Sequence, residues 1–471
     1  MTDMTVQVAV LGAGPGGYAA AFLAADLGMS VALVDENANP GGVCLYRGCI
    51  PSKALLHVAR LVAETRHAAA WGIDFGTPRI DLDKLRAFKQ GVVDKLTGGT
   101  GQLARQRKVT FVQGRASIAD PRSFLVATRD GQVTVGFEHG ILAAGSRPAT
   151  IPGLPGADPR VIDSTGALEL ESIPPRLLVI GGGYIGLELG SVYAALGSKV
   201  TVVEMLPGLL PGADRDLVTV LQRRIESVCE RVLLSTKVAA VADAGADLEV
   251  TLESSDGTQS RERFDKVLVA VGRKPNSQLS GLDRTRARVN RRGFIEVDPQ
   301  RRTHEPTLFA IGDVAGEPML AHKASAEGRV AVEAIAGHKV IFEPRAIPAV
   351  VFTDPELAWC GLTEAQAKEQ GVNVKVARLP WAASGRAMTL DRTDGLTKLI
   401  IDAESERVLG MGVVGVGAGE LIAEGVLAVE MAALASDVGL SIHAHPTLSE
   451  TTMEAADAFY GLATHIIRPR R

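Results

Sequence analysis

A chain of 471 residues is too long for one ordinary core, and its length predicts about three domains. Hydrophobic residues at 46% and charged residues at 22% make a globular composition, while a formal net charge of -4 with mixed signs leaves no basic stripe for nucleic acid and no polybasic segment for a membrane. Four cysteines in so long a chain exclude a disulfide framework.

The N-terminal residues pass into an apolar strand pattern without the regions of a signal peptide, and no long uncharged apolar run follows, so a cytoplasmic protein is expected. Val6 to Leu11 reads as a short buried strand that meets Gly12-Ala13-Gly14-Pro15-Gly16-Gly17, followed by a helix over Tyr18 to Leu27 and a strand over Ser30 to Val34. This is a βαβ unit. Gly12, Gly14 and Gly17 fit G-x-G-x-x-G, whose glycines permit a tight turn, close approach to a pyrophosphate and close helix packing. Asp35 ends the next strand 23 positions after Gly12, where a ribose-binding carboxylate is expected.

In Cys44-Leu45-Tyr46-Arg47-Gly48-Cys49, a regular helix would separate the two Cα atoms by about 7.5 Å along its axis, beyond the roughly 7 Å limit for a disulfide. A compact turn is therefore expected if the pair closes, freed by Gly41, Gly42 and Gly48, with a helix settled over Ser52 to Ala63 after Pro51. Cys49 then lies near a helix N-terminus, and Arg47 and Lys53 nearby in sequence favour its thiolate. The spacing admits redox chemistry or metal. Metal needs further ligands, and Cys229 and Cys360 stand without a close Cys or His neighbour, so no metal is expected and both read as structural.

Gly131 to Pro148 has strand character and precedes a Pro- and Gly-rich stretch, which marks a domain crossing. The βαβ order then recurs: a strand over Leu177 to Ile180, the turn Gly181-Gly182-Gly183-Tyr184-Ile185-Gly186, a helix over Leu187 to Leu196, a strand over Lys199 to Val203, and Glu204 again 23 positions after Gly181. Two units imply two dinucleotides. Glu204 would repel a 2′-phosphate and no Arg or Lys follows before Arg215, so Gly181, Gly183, Gly186 and Glu204 predict an NAD site rather than one for NADP. A second apolar run, Val267 to Val271, stops at Gly272-Arg273-Lys274-Pro275-Asn276, the expected return crossing; a helix over His322 to Ala336 and a separate C-terminal domain from about Ile347 follow.

Gly41 to His57, with the cysteine pair and Ile50-Pro51-Ser52-Lys53, resembles the active-site segment of the dihydrolipoamide dehydrogenases, within the pyridine nucleotide-disulfide oxidoreductases. Gly145-Ser146-Arg147-Pro148, Gly272-Arg273, Phe309 to Val314 and His443 to Glu450 resemble the family's motifs in the family's order, so the likeness spans essentially the whole chain. It implies an α/β fold of two Rossmann-like dinucleotide-binding domains, the FAD domain discontinuous, plus a C-terminal α+β dimerisation domain. The corresponding division is 1–148 and 276–346 for FAD, 149–275 for NAD and 347–471 for dimerisation.

By the same resemblance, Cys44 is the interchange thiol and Cys49 the thiol beside the flavin. Gly12, Gly14, Gly17, Asp35, Gly145 and Asp313 hold FAD, Asp313 at the ribityl chain. Lys53 with its partner Glu188 tunes the flavin, and Gly272 joins the NAD site. His445 with Glu450 forms an acid/base dyad that reaches across a homodimer to the other subunit's disulfide. The implied reaction is FAD-dependent oxidation of a protein-bound dihydrolipoamide by a Cys44–Cys49 disulfide, with reduction of NAD. The partner is a separate lipoyl-carrying protein: the acyltransferase of a 2-oxoacid dehydrogenase complex, the glycine-cleavage carrier or another. His443 reads as catalytic neighbour or satisfied support.

Two positions depart from the family pattern. Tyr46-Arg47 stands where Asn-Val is common, and the added cation is expected to alter carrier preference or thiolate stability; Ala144 stands where Thr is common, with little consequence expected. The nearest rival, a glutathione reductase-like enzyme, would favour basic residues where Glu204 stands, and a mercuric reductase would carry a cysteine pair where the sequence has Ile466 to Arg471. A non-catalytic flavoprotein scaffold of a lipoyl assembly would not require the cysteine, lysine and histidine set.

Overall fold

A strand covered on both faces has no polar side to show, so continuous apolar runs between glycine turns become parallel strands. In the computed structural model, which describes residues 3–156 and 158–467, this holds for both βαβ units. Arg468 to Arg471 lie outside the described residues. Strand β1 (Met4–Leu11), helix α1 (Pro15–Asp26) and strand β2 (Val31–Asp35) open the chain, with Val8, Ala9 and Val10 wholly buried. The helix starts three residues before the expected Tyr18, because a proline fits the first turn, where its missing N–H leaves no bond unmade.

Gly12 shows why the turn must be glycine. Its φ is +98°, and a Cβ there would lie 2.3 Å from the Ala143 carbonyl oxygen; a Cβ on Gly17 would lie 1.8 Å from the Gly12 oxygen. In the first sheet β1 lies between β2 and Gly131–Leu142, all parallel, with Thr110–Gln113 beyond β2 and an antiparallel extension through Ser123–Thr128 to Arg115–Asp120. Leu308–Ala310 returns from much later in the chain to pair with Gly131–Leu142, so the first domain is discontinuous in sequence.

The second parallel sheet runs Arg231–Leu233, Lys199–Val203, Arg176–Ile180, Lys266–Val269, Val161–Ile162. Its fingerprint helix is Tyr184–Leu196, again one turn earlier than apolar periodicity suggests. The crossings at Ser146–Pro148 and Arg273–Pro275 pair with each other as an antiparallel ribbon, so both passages between domains share one hinge. The C-terminal part is an antiparallel sheet ordered Ala349–Val351, Glu356–Gly361, Val408–Gly415, Leu396–Asp402, Val374–Pro380. Sequence reading missed the helix Leu82–Gln106 and the three-stranded antiparallel sheet over residues 236–264. Among the described residues no helix is long and apolar enough to cross a membrane.

The cysteine segment differs from the expected turn. Gly42–Arg47 forms a short helix, α2, and α3 (Cys49–His67) begins at Cys49 instead of Ser52. A single break at Gly48, with φ −144° and ψ −113°, redirects the chain between the two cysteines. One residue outside helical dihedrals suffices to defeat the axial separation that excluded a continuous helix.

Lys398, fully buried, ties the C-terminal sheet to the second dinucleotide unit. Its Nζ lies 2.8 Å from Asp214 and 2.9 Å from Asp216 and also bonds Glu364, while Arg378 bonds Asp216 and Glu364. Burial opposes the ammonium, but the three carboxylates hold its pKa above the ordinary lysine value. Lys398→Met should leave three crowded carboxylates with Arg378 alone and cost about 3–5 kcal/mol. A chemical-denaturation midpoint unchanged from the parent would refute this.

Candidate active site

A cavity of about 650 Å³ gathers the first Gly-rich turn, Asp35, Gly145 and Asp313 with Cys44, Cys49, Lys53 and Glu188. Gly14 is the N-cap of α1, no side chain caps the helix and no acidic residue occupies its first turn. Its unpaired N–H groups and the positive end of its dipole suit a dinucleotide phosphate, and nothing but the Cα of Gly42 comes within 4.0 Å of a Cβ built on Gly14. The donor set fits FAD.

Asp35 and Glu204 occupy matching places. Asp35 Oδ2 accepts from Ala13 N at 2.8 Å, and Glu204 Oε2 accepts from Gly182 N at 2.7 Å. Each carboxylate therefore braces its own Gly-rich turn, a role that spacing did not reveal. Gly183 repeats Gly14 as an uncapped N-cap, while Gly181, Gly183, Gly186 and Glu204 lie outside the lining of the first cavity. Arg215, the first cation after Glu204, gives its guanidinium to the carbonyls of Leu209, Leu210 and Ala213 at 2.7 Å each. It is thereby withdrawn from any 2′-phosphate.

Gly145 and Gly272 flank the hinge ribbon with φ of +66° and +107°. Asp313 Oδ2 accepts from Ser146 Oγ at 2.5 Å, and Arg273 donates to Ser146 Oγ and O at 2.7 Å each. Beneath it lies a residue that sequence reading missed. Glu327, with no exposure, accepts from Gly312 N at 2.6 Å and binds Arg301 at 2.8 Å and Lys323 at 3.0 Å. The Lys323-x3-Glu327 spacing on a predicted helix was the available signal.

Cys44 and Cys49 are free thiols joined by a side-chain hydrogen bond, with Cys49 open to the cavity and Cys44 half-buried. The bond from Cys44 lowers the Cys49 pKa to about 7 against burial, and Lys53 assists. Cys44 moves strongly upward, through its bond to Cys49 and through burial. The first proton to leave the pair thus leaves Cys49, and Cys44 needs a base. Lys53 Nζ lies 2.8 Å from Glu188, whose side chain is 4% exposed, and 4.4 Å from the Phe352 ring centroid. Glu188 Oε1 accepts from Phe352 N at 3.0 Å, a partner 164 positions away that no local pattern indicates. Arg47, expected to favour the thiolate, instead reaches Asn37 at 3.3 Å. Lys53 is the cation acting on Cys49.

His445 Nδ1 lies 2.9 Å from Glu450, whose other oxygen accepts from Thr447 N at 2.8 Å. Burial opposes the Glu450 charge, yet these bonds hold its carboxyl below the usual range. The imidazole is 75% exposed and lies outside the cavity lining. His443 spends both ring nitrogens on Glu424 and the Ser441 carbonyl, at 2.7 Å each, and so supports the loop.

Alkylation of Cys49 in the reduced protein, followed by peptide mass spectrometry, should show a pH midpoint near 7. Lys53→Met removes a cation that favours the thiolate and should move that midpoint upward. An unmoved midpoint would count against the Lys53 assignment.

Residues 6–328 match the family model for pyridine nucleotide-disulphide oxidoreductase, and residues 347–456 match its dimerisation domain. The chain is 49% identical over 465 residues to a dihydrolipoyl dehydrogenase of Haemophilus influenzae, covering 98% of this chain and 97% of that protein. It is 47% identical to one of Thermus scotoductus, covering 98% and 99%. Among solved structures, LpdA from Mycobacterium tuberculosis superposes with a TM-score of 0.88 at 27% identity, covering 96% of this chain and 99% of that one. The HOCl-induced flavoprotein disulfide reductase RclA from Escherichia coli superposes at 0.84 and 28% identity, with the same coverage. With two matched domains and full-length relatives, the chain belongs to the pyridine nucleotide-disulphide oxidoreductase family.

Proposed function

We propose that this chain is a dihydrolipoamide dehydrogenase that uses FAD to oxidise a protein-bound dihydrolipoamide and reduces NAD. The observation that carries the reading is the Cys44/Cys49 pair, with its thiolate favoured at Cys49, set beside the Lys53–Glu188 ion pair in the cavity of the first dinucleotide turn. Near-full-length likeness to dihydrolipoyl dehydrogenases supports the substrate. Glu204 and the withdrawn Arg215 favour NAD over NADP and count against a glutathione reductase-like enzyme. Residues 1–148 with 276–346 are assigned to FAD, 149–275 to NAD and 347–471 to a homodimer contact. Bacterial relatives support a cytoplasmic location.

In the oxidative direction a dihydrolipoyl thiolate attacks the sulfur of Cys44 in a Cys44–Cys49 disulfide, and Cys49 leaves as the thiolate that its surroundings stabilise. The second lipoyl thiol then displaces Cys44, giving lipoyl disulfide and a reduced cysteine pair. His445, oriented by Glu450, takes protons from the lipoyl thiols and manages the Cys44 proton. When bound, FAD supplies the two-electron link between the reduced pair and NAD. Lys53, held by Glu188, provides positive charge at that link. Asp313, fixed by Ser146, and the uncapped end of α1 would hold the ribityl and phosphate portions. The exposed dyad outside the cavity fits a base supplied by the second subunit. The carrier is the acyltransferase of a 2-oxoacid dehydrogenase complex, the glycine-cleavage carrier or another lipoyl protein.

Purified enzyme should reduce NAD with dihydrolipoamide, and much less NADP, while oxidised glutathione should not oxidise NADPH or NADH. Activity with glutathione and none with dihydrolipoamide would defeat the proposal. Cys44→Ser and His445→Gln homodimers should both be severely impaired, the latter by about 10²–10⁴ in turnover with flavin retained. Mixing the two variants under subunit exchange should restore about a quarter of parental activity if each site takes Cys44 from one subunit and His445 from the other. No restoration, with exchange verified, would place the dyad within one chain.

A further inference from the structure

The cysteine turn carries a cation that the redox chemistry does not use. Five cationic side chains line the cavity, and three are committed to close bonds: Lys53 to Glu188, Arg147 to the Pro275 carbonyl and Asn276, and Arg273 to Ser146. Arg115, with its side chain 86% exposed, comes only to 3.6 Å from Glu36. Among the described residues, the sole side-chain hydrogen bond of Arg47 is the long one from Nη2 to Asn37 Oδ1, at 3.3 Å. Asn37 in turn donates from Nδ2 to Asp35 Oδ1 at 2.7 Å. The chain of contacts from Arg47 therefore runs to the carboxylate that closes the first βαβ unit and away from the sulfurs.

Helix α2 starts against the first dinucleotide turn. A Cβ on Gly42 would come 2.5 Å from the Gly14 Cα, so the start of α2 abuts the N-cap of α1. Arg47, at the other end of this six-residue helix, is exposed on the cavity wall. The cavity also carries Asp35, Glu36, Glu188 and Asp313, which oppose a dianionic ligand, so an uncommitted guanidinium has a definite electrostatic role there.

We propose that Arg47 is an electrostatic anchor for the diphosphate–adenosine half of FAD, a positioning residue that retains the cofactor and takes no part in thiol chemistry. This rests on the reading of the cavity as an FAD site. Its partner Asn37 holds the guanidinium loosely on the wall, where a phosphate oxygen offers a stronger acceptor than a neutral amide.

The test strips FAD from the parent, R47V and R47K proteins and measures FAD rebinding by flavin fluorescence at low salt and at about 0.5 M salt. R47V should bind FAD about 3- to 10-fold more weakly at low salt, R47K should recover most of that loss, and the gap should narrow at high salt. Should R47V purify poorly, R47Q carries the same expectation. Equal affinity and equal salt response of the uncharged variant and the parent would overturn the proposal, as would a change confined to the KM for a lipoyl carrier. A parent protein that takes up no FAD would instead overturn the cofactor reading itself.

Discussion

One buried carboxylate joins the three parts of this protein. Glu188 belongs to the fingerprint helix of the second dinucleotide unit, yet it holds Lys53 from the redox helix with one oxygen and the Phe352 amide at the start of the C-terminal sheet with the other. At 4% exposure its charge is sustainable only with such partners. The Phe352 ring lies over the Lys53 ammonium, 4.4 Å from Nζ to the ring centroid, and adds a cation–π contact to the ion pair. Loss of any one contact loosens the other two.

The two sulfurs differ for reasons set by this arrangement. Cys49 opens α3, gains a hydrogen bond from Cys44 and feels Lys53, so its thiolate is favoured. Cys44 is held in its protonated form and must be served by a base. The dyad that could serve it is prepared on the chain, with Glu450 fixing one ring nitrogen of His445, but it stands outside the cavity. On the proposed assignment of this dyad to a second subunit's cysteines, catalysis would be coupled to dimer assembly.

A second network aligns the domains. The paired crossing strands carry Ser146 and Arg273 to Asp313, and the buried Glu327 secures Gly312 beside it. Movement at the hinge would therefore disturb the carboxylate assigned to the ribityl chain. The Lys398 cluster fixes the second dinucleotide unit against the C-terminal sheet at another point, so each junction between domains contains a polar tie with low exposure. Such ties specify one relative placement because a misplaced carboxylate or ammonium would remain buried without a partner.

The local sequence by itself determined both βαβ units, since strand, glycine turn and helix follow one another within reach of short-range sterics, and a Cβ at Gly12 or Gly17 would collide with backbone. It also determined the residue types of the redox segment and, by resemblance, the His445–Glu450 pair. Periodicity could not place the Gly48 break, because a single residue's dihedrals carry no pattern, and it could not see that Arg47 turns from the sulfurs toward Asn37. Tertiary structure alone decided which distant groups meet: Phe352 at Glu188, Arg273 at Ser146, and Asp214, Asp216 and Glu364 around Lys398. Those contacts close loops of tens to hundreds of residues, and their partners are chosen by burial and hydrogen-bond satisfaction, which no window along the chain records.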